Sequence, residues 1–110
     1  MNNKLIIISK LEALDKYLEK IYYNFPKKER ILKEELISII KEIYLKIYHL
    51  VYNYNNNNAL EIISNLKYLN NLIDTMYQKK IINQSKYLYI GNLLIEITKL
   101  LKGYINEKNK

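Results

Sequence analysis

Apolar residues recur every three or four positions in four separate runs along the chain, the period of a helix with one buried face. The first run is Ile7, Leu11, Leu14, Leu18, Ile21 and Phe25, spaced 4-3-4-3-4. Pro26 disfavours helical backbone at Phe25, so the pattern predicts a helix ending near Asn24. A second run starts around Lys28 to Ile31 and carries Leu36, Ile40, Ile43, Ile47, Leu50 and Tyr54 at the same spacing. Ile37, Ile39, Tyr44, Tyr48 and Val51 widen its apolar arc, which predicts contact with neighbours on two sides. Asn55 to Asn58 interrupt the pattern, because asparagine competes for backbone hydrogen bonds and favours turns and caps. Asn58, with Glu61 three residues later, reads as a capping-box-like pair. The third run is Ile62, Leu66, Leu69, Ile73 and Met76. It is expected to stop near Lys79 and Lys80, where positive charge suits a helix C-terminus. After a short connector Ser85 reads as a cap. The last run is Tyr87, Ile90, Leu94, Ile97, Leu101 and Tyr104, with Gly103 in its last turn and residues 106–110 expected to fray.

The four helices are expected over about 4–24, 28–54, 58–80 and 85–104. At 1.5 Å rise per residue each is roughly 25–37 Å long. Short connections make successive helices antiparallel neighbours, so the pattern predicts an all-α, single-domain, up-down-up-down four-helix bundle. No solenoid repeat is present. Leu60, Leu88 and Ile95 stand beside the main stripes and read as extra core or as a subunit interface.

Composition narrows the chemistry. The 110 residues fit one domain. Two glycines and one proline are too few for a barrel, a sandwich or a phosphate-cradling loop. With no cysteine and one histidine, disulfide frameworks, thiolate metal sites and paired-histidine catalysis are excluded. His49 stands between Tyr48 and Leu50 without a catalytic partner in sight. Glu34, Glu35 and Glu42 lie on a helix beside Lys33, Lys41 and Lys46, the pattern of a solvated, ion-paired face. A di-iron bundle needs two Glu-x-x-His motifs, which one histidine cannot supply. No acid/base pair can be named, so the chain reads as a non-enzyme that needs no metal or cofactor.

The formal net charge is +7, and the basic side is lysine with a single arginine, Arg30. Asn, Ile, Lys and Tyr all have A/T-rich codons and dominate the chain, so part of the skew reports on the genome. Position is more telling than number. Lys27, Lys28, Arg30 and Lys33 bracket the first connection, and Lys79, Lys80 and Lys86 bracket the third. In an up-down bundle those connections share one end, which reads as a site for RNA or DNA or as a solvated rim. Tyr44, Tyr48 and Tyr52 form a ridge four residues apart, open to three readings: a subunit interface, a core edge enriched by codon bias, or a platform for bases. The longest apolar stretch, Leu5 to Ile8, is four residues, too short for a signal peptide core or a membrane span. A cytoplasmic protein is expected.

The segment Phe25, Pro26, Lys27, Lys28, Glu29 and Arg30 resembles one found in a family of helical bundles, the accessory variability determinants (Avd) of diversity-generating retroelements. Close relatives are encoded in intervening sequences of large-subunit ribosomal RNA genes. Both have a helix ending in Phe-Pro followed by a basic-acidic-Arg stretch. The resemblance continues in Leu66-Lys67-Tyr68-Leu69, in the short connector before Tyr87, and in Leu94-Ile95-Glu96-Ile97 followed by Leu100, Leu101, Gly103, Tyr104 and Ile105. It covers about residues 10–105. It implies a homopentameric ring with a basic surface that associates with a reverse transcriptase and its template RNA and is not itself an enzyme. Five chains of +7 each would carry +35.

Overall fold

Leucine and isoleucine at the stripe positions build one core. Leu11, Leu14, Leu18, Leu36, Ile43, Leu50, Ile62, Leu69, Ile73, Ile90, Ile97 and Leu101 are fully buried, and no polar or charged residue joins them among the described residues. The computed structural model describes residues 3–109, with side chains from Ile6 onward. Its helices are α1 (Asn3–Tyr22), α2 (Arg30–Tyr52), α3 (Asn56–Gln78) and α4 (Gln84–Lys108), with one 3-10 turn, Lys27–Glu29, ahead of α2. No strand occurs among the described residues.

Cross-helix contacts fix the direction of each element. Lys10 meets Glu96 at 2.8 Å, and the rings of Tyr17 and Tyr89 lie 4.5 Å apart, so α4 descends as α1 rises. Lys46 meets Glu61 and Lys79 meets Glu29, which makes α2 and α3 antiparallel. Tyr87 reaches Asp74 and Asn109 reaches Asn56, which does the same for α3 and α4. Each helix therefore packs on its two neighbours around the bundle, and the α1–α2 contact is the thinnest. The expected all-α up-down-up-down bundle is what the chain forms, in a body 46 × 24 × 19 Å.

Helix ends differ from the expected ones for local reasons. α1 stops at Tyr22, not near Asn24, because the Asn24 and Phe25 N–H groups turn back to the carbonyls of Ile21 and Tyr22. Phe25 and Tyr54 still pack on the core, but from outside the helices that their spacing suggested. α3 starts at Asn56. Its cap is Asn55, whose side chain accepts from the Asn57 N–H at 2.8 Å and the Asn58 N–H at 3.4 Å. Asn58 is therefore not the cap, and Glu61 pairs with Lys46 instead of completing a capping box. Asn83, not Ser85, caps α4 by accepting from the Lys86 N–H at 2.9 Å. α4 runs on to Lys108, so 106–108 are helical and not frayed; residue 110 lies outside the described residues. Burial of Tyr104 on the core holds this last stretch in place. Leu60, Leu88 and Ile95 are about half exposed, which removes the extra-core reading for all three.

Candidate nucleic-acid interface

Residues 23–29 and 79–83 join the helices at one end of the bundle. An ion pair ties the two connections together: Lys79 Nζ lies 3.0 Å from Glu29 Oε2. Pro26 is extended, at φ −60° and ψ 136°, and carries the chain out of α1. At the other connection α3 closes with a double turn of hydrogen bonds. Ile81 N–H donates to the Met76 carbonyl at 2.9 Å and Lys80 N–H to the Tyr77 carbonyl at 3.0 Å. This closure needs a left-handed residue one place beyond the helix cap, where glycine is usual. Here that residue is Lys80, at φ 62°. Its Cβ makes the conformation cost about 1–2 kcal/mol. Ile82 is buried just beyond it and anchors the connector.

The seven basic residues expected at this end are used differently. Lys79 is neutralised by Glu29 and serves as a tie. Arg30 is exposed, with Nε 3.7 Å from a carboxylate oxygen of Glu34, a surface pair worth less than about 1 kcal/mol. Lys27, Lys28, Lys80 and Lys86 are exposed and Lys33 is half-buried. None of these five lysines takes part in an ion pair among the described residues. Lys27, Lys28, Arg30 and Lys33 line a depression together with Phe25, Pro26 and the exposed Ile31.

An aromatic side chain that the apolar periodicity does not mark also stands at this end. Tyr23, in the turn after α1, is 90% exposed. A free ring among lysines can accept the face of a base while the lysines take phosphates. Its signal was the placement of Tyr23 just beyond the Ile21 stripe position and ahead of Phe-Pro-Lys-Lys. Nearby, Tyr77 stacks on Tyr87 with centroids 4.4 Å apart and planes 13° apart. The Tyr87 hydroxyl donates to Asp74 at 2.6 Å, which raises its pKa, as a hydroxyl held by a carboxylate resists ionisation.

The Tyr44, Tyr48 and Tyr52 ridge is only partly continuous. Tyr44 and Tyr48 stack at 5.6 Å. Tyr44 is half-buried where α2 meets α1, and burial together with Glu12 pushes its hydroxyl up to about 12. Tyr52 is 84% exposed at the far end of the bundle from the lysine-rich connections. His49 is exposed on α2, and no group of three potential metal ligands occurs among the described residues.

Elsewhere the charges divide by face. Most carboxylates hold a partner: Glu29, Glu34, Glu42, Glu61 and Glu96 hold a basic side chain, and Glu35 and Asp74 accept from Tyr68 and Tyr87. Glu12, Asp15 and Glu19 of α1 and Glu107 near the end of α4 hold none among the described residues. On α3 and α4, Lys67, Lys99 and Lys102 rim a groove that no acidic residue lines. No helix among the described residues is long and apolar enough to cross a membrane. No protein-family model, curated protein or solved structure matches the chain. The fold and the surface therefore define a basic, all-α four-helix bundle protein.

Proposed function

We propose that this chain is a non-enzymatic accessory protein of a reverse-transcribing retroelement, of the Avd kind that its sequence resembles. It acts in the cytoplasm as a basic homo-oligomeric ring, a pentamer, that gathers RNA or DNA and delivers it to a reverse transcriptase. The observation that carries this reading is the meeting of two lysine-rich connections at one end, tied by Lys79 and Glu29, with Lys27, Lys28, Lys80 and Lys86 left exposed. Lysine is a flexible point charge, so these groups favour backbone phosphates over particular bases. Tyr23 adds a stacking surface suited to a single strand. Repeating the site around a ring turns weak contacts into strong ones. The half-exposed Leu60, Leu88 and Ile95 favour the second reading, a structural interaction bundle of the ribosomal RNA intervening-sequence type whose lysines have no nucleic-acid role.

Binding of a labelled single-stranded RNA across a salt series separates the two. Contacts to about four phosphates per chain predict a fall in log affinity with log salt of slope about −3 per chain. The Lys27→Glu, Lys28→Glu, Lys80→Glu, Lys86→Glu variant is expected to lose at least about a hundredfold at low salt and to flatten the slope. Tyr23→Ala is expected to weaken binding roughly 5- to 150-fold while keeping the slope. Affinity that ignores both salt and the four reversals supports the structural reading instead.

A further inference from the structure

Two faces of this bundle carry charges that the chain itself leaves unmatched, and they are of opposite sign. On α1, Glu12, Asp15 and Glu19 follow the i, i+3, i+7 rule of one helix face, a stripe roughly 10 Å long. They border the seam with α2, where Ile37 and Tyr44 are half-buried and line the groove with Asp15 and Glu19. Asp15's carboxyl is raised above its ordinary value by burial and by Glu19 beside it, against a weaker pull from Lys41. The Tyr22 hydroxyl is buried at the same seam with no hydrogen-bond partner among the described residues. Lys41 of α2 also lines this groove but forms no ion pair among the described residues. The seam therefore carries more acid than base, and a docked surface would bring it further cations and a polar contact for Tyr22.

The opposite side of the bundle is built the other way. Along the α3–α4 seam Leu88 and Ile95 are 53% and 54% exposed, one heptad apart, with Gly91 opening the wall between them. Lys67, Lys99 and Lys102 rim this groove and hold no carboxylate among the described residues. Glu61 turns to Lys46 of α2 and Glu96 to Lys10 of α1, and Asp74, at this seam, is held by the Tyr87 hydroxyl. Lys67 stands level with Ile95 in the antiparallel pair, so the basic rim also runs roughly 10 Å, the length of the acidic stripe.

We infer that these faces are the two halves of one contact between copies of this chain: the α3–α4 groove of one molecule seats the α1–α2 seam of the next. Lys67, Lys99 and Lys102 meet Glu12, Asp15 and Glu19, while Leu88 and Ile95 cover Ile37 and Tyr44. This deepens the self-association proposed above, and rests on it, by naming the surfaces. The contact is head-to-tail. A face-to-same-face dimer would set lysines on lysines, whereas a heterologous contact repeats from molecule to molecule and closes into a ring or extends as a filament. It leaves the lysine-rich end of every copy uncovered, because that end is neither of the two faces.

Charge exchange tests the pairing, read as solution mass at micromolar concentration by sedimentation, on nuclease-treated protein. The wild-type chain assembles. Lys99→Glu with Lys102→Glu, and separately Glu12→Lys with Glu19→Lys, each give monomers with the wild-type circular dichroism, since all four side chains are exposed. An equimolar mixture of the two variants assembles again, into open or even-membered forms because the two must alternate, and the chain carrying all four changes regains the wild-type mass. Double variants that assemble like wild type, or a mixture that stays monomeric, overturn the pairing and leave self-association standing. A monomeric wild-type chain overturns the pairing and the proposed ring together. Recovery on mixing also excludes an acidic segment of a different protein as the occupant of the groove.

Discussion

Lys80 occupies a place that glycine usually fills. Its φ of 62° is forced by the hydrogen bonds that close α3, from Ile81 N–H to Met76 and from Lys80 N–H to Tyr77. The left-handed strain and the extra backbone freedom of glycine oppose each other, and the strain is the larger. Lys80→Gly is therefore expected to stabilise the fold by about 0.5–1 kcal/mol, seen as a higher urea midpoint. A lower midpoint would show that Lys80's side chain contributes more than its backbone costs. The same variant should bind RNA less tightly, because stability and charge pull apart at this residue. Asp15 offers a second residue-scale test. Its pKa lies above the 3.8 of an ordinary aspartate because of burial and Glu19. A carboxyl raised on folding binds protons more readily in the native state, so its destabilising effect is present at neutral pH and fades as pH falls through the raised value to 3.8. Asp15→Asn should stabilise the dilute monomer at neutral pH and have no effect near about pH 3. An effect at acid pH alone would contradict this cause.

At the scale of the element, the stripes were legible and the stops were not. From Ile7 to Leu101 nearly every stripe residue is buried because a 3.6-residue period with Leu and Ile has one good way to hide. Phe25 and Tyr54 misled for a related reason: a loop residue can fill a core position without being helical. The last helix was expected to stop at residue 104 and runs on to Lys108, since burial of Tyr104 outweighs about 1 kcal/mol of propensity lost at Gly103. Within four successive asparagines, sequence could not select the cap. The selection depends on where the first free N–H groups point, and they point at Asn55. Thermal unfolding resolves the choice: Asn55→Ala is expected to cost about 1 kcal/mol and Asn58→Ala much less. Equal losses would place the cap elsewhere.

Across the whole molecule, topology brings together what sequence keeps some fifty residues apart. The lysine clusters were legible as clusters, and antiparallel packing joins them at one end. What sequence could not show is how each charge is used. Lys79 is spent on Glu29, whereas Lys80, one residue later, is exposed. Tyr23 went unmarked because its exposure depends on where α1 stops. The unmatched acidic and basic faces were likewise invisible until ion pairs and tyrosine hydroxyls had claimed most of the other carboxylates. The most direct measurement of the central claim is a lysine-reactivity footprint on the assembled protein, with and without single-stranded RNA in dilute salt. The account predicts protection of Lys27, Lys28, Lys80 and Lys86, with Lys108 at the far end as reactive as before. Protection at Lys108 with the four end lysines unchanged would contradict it.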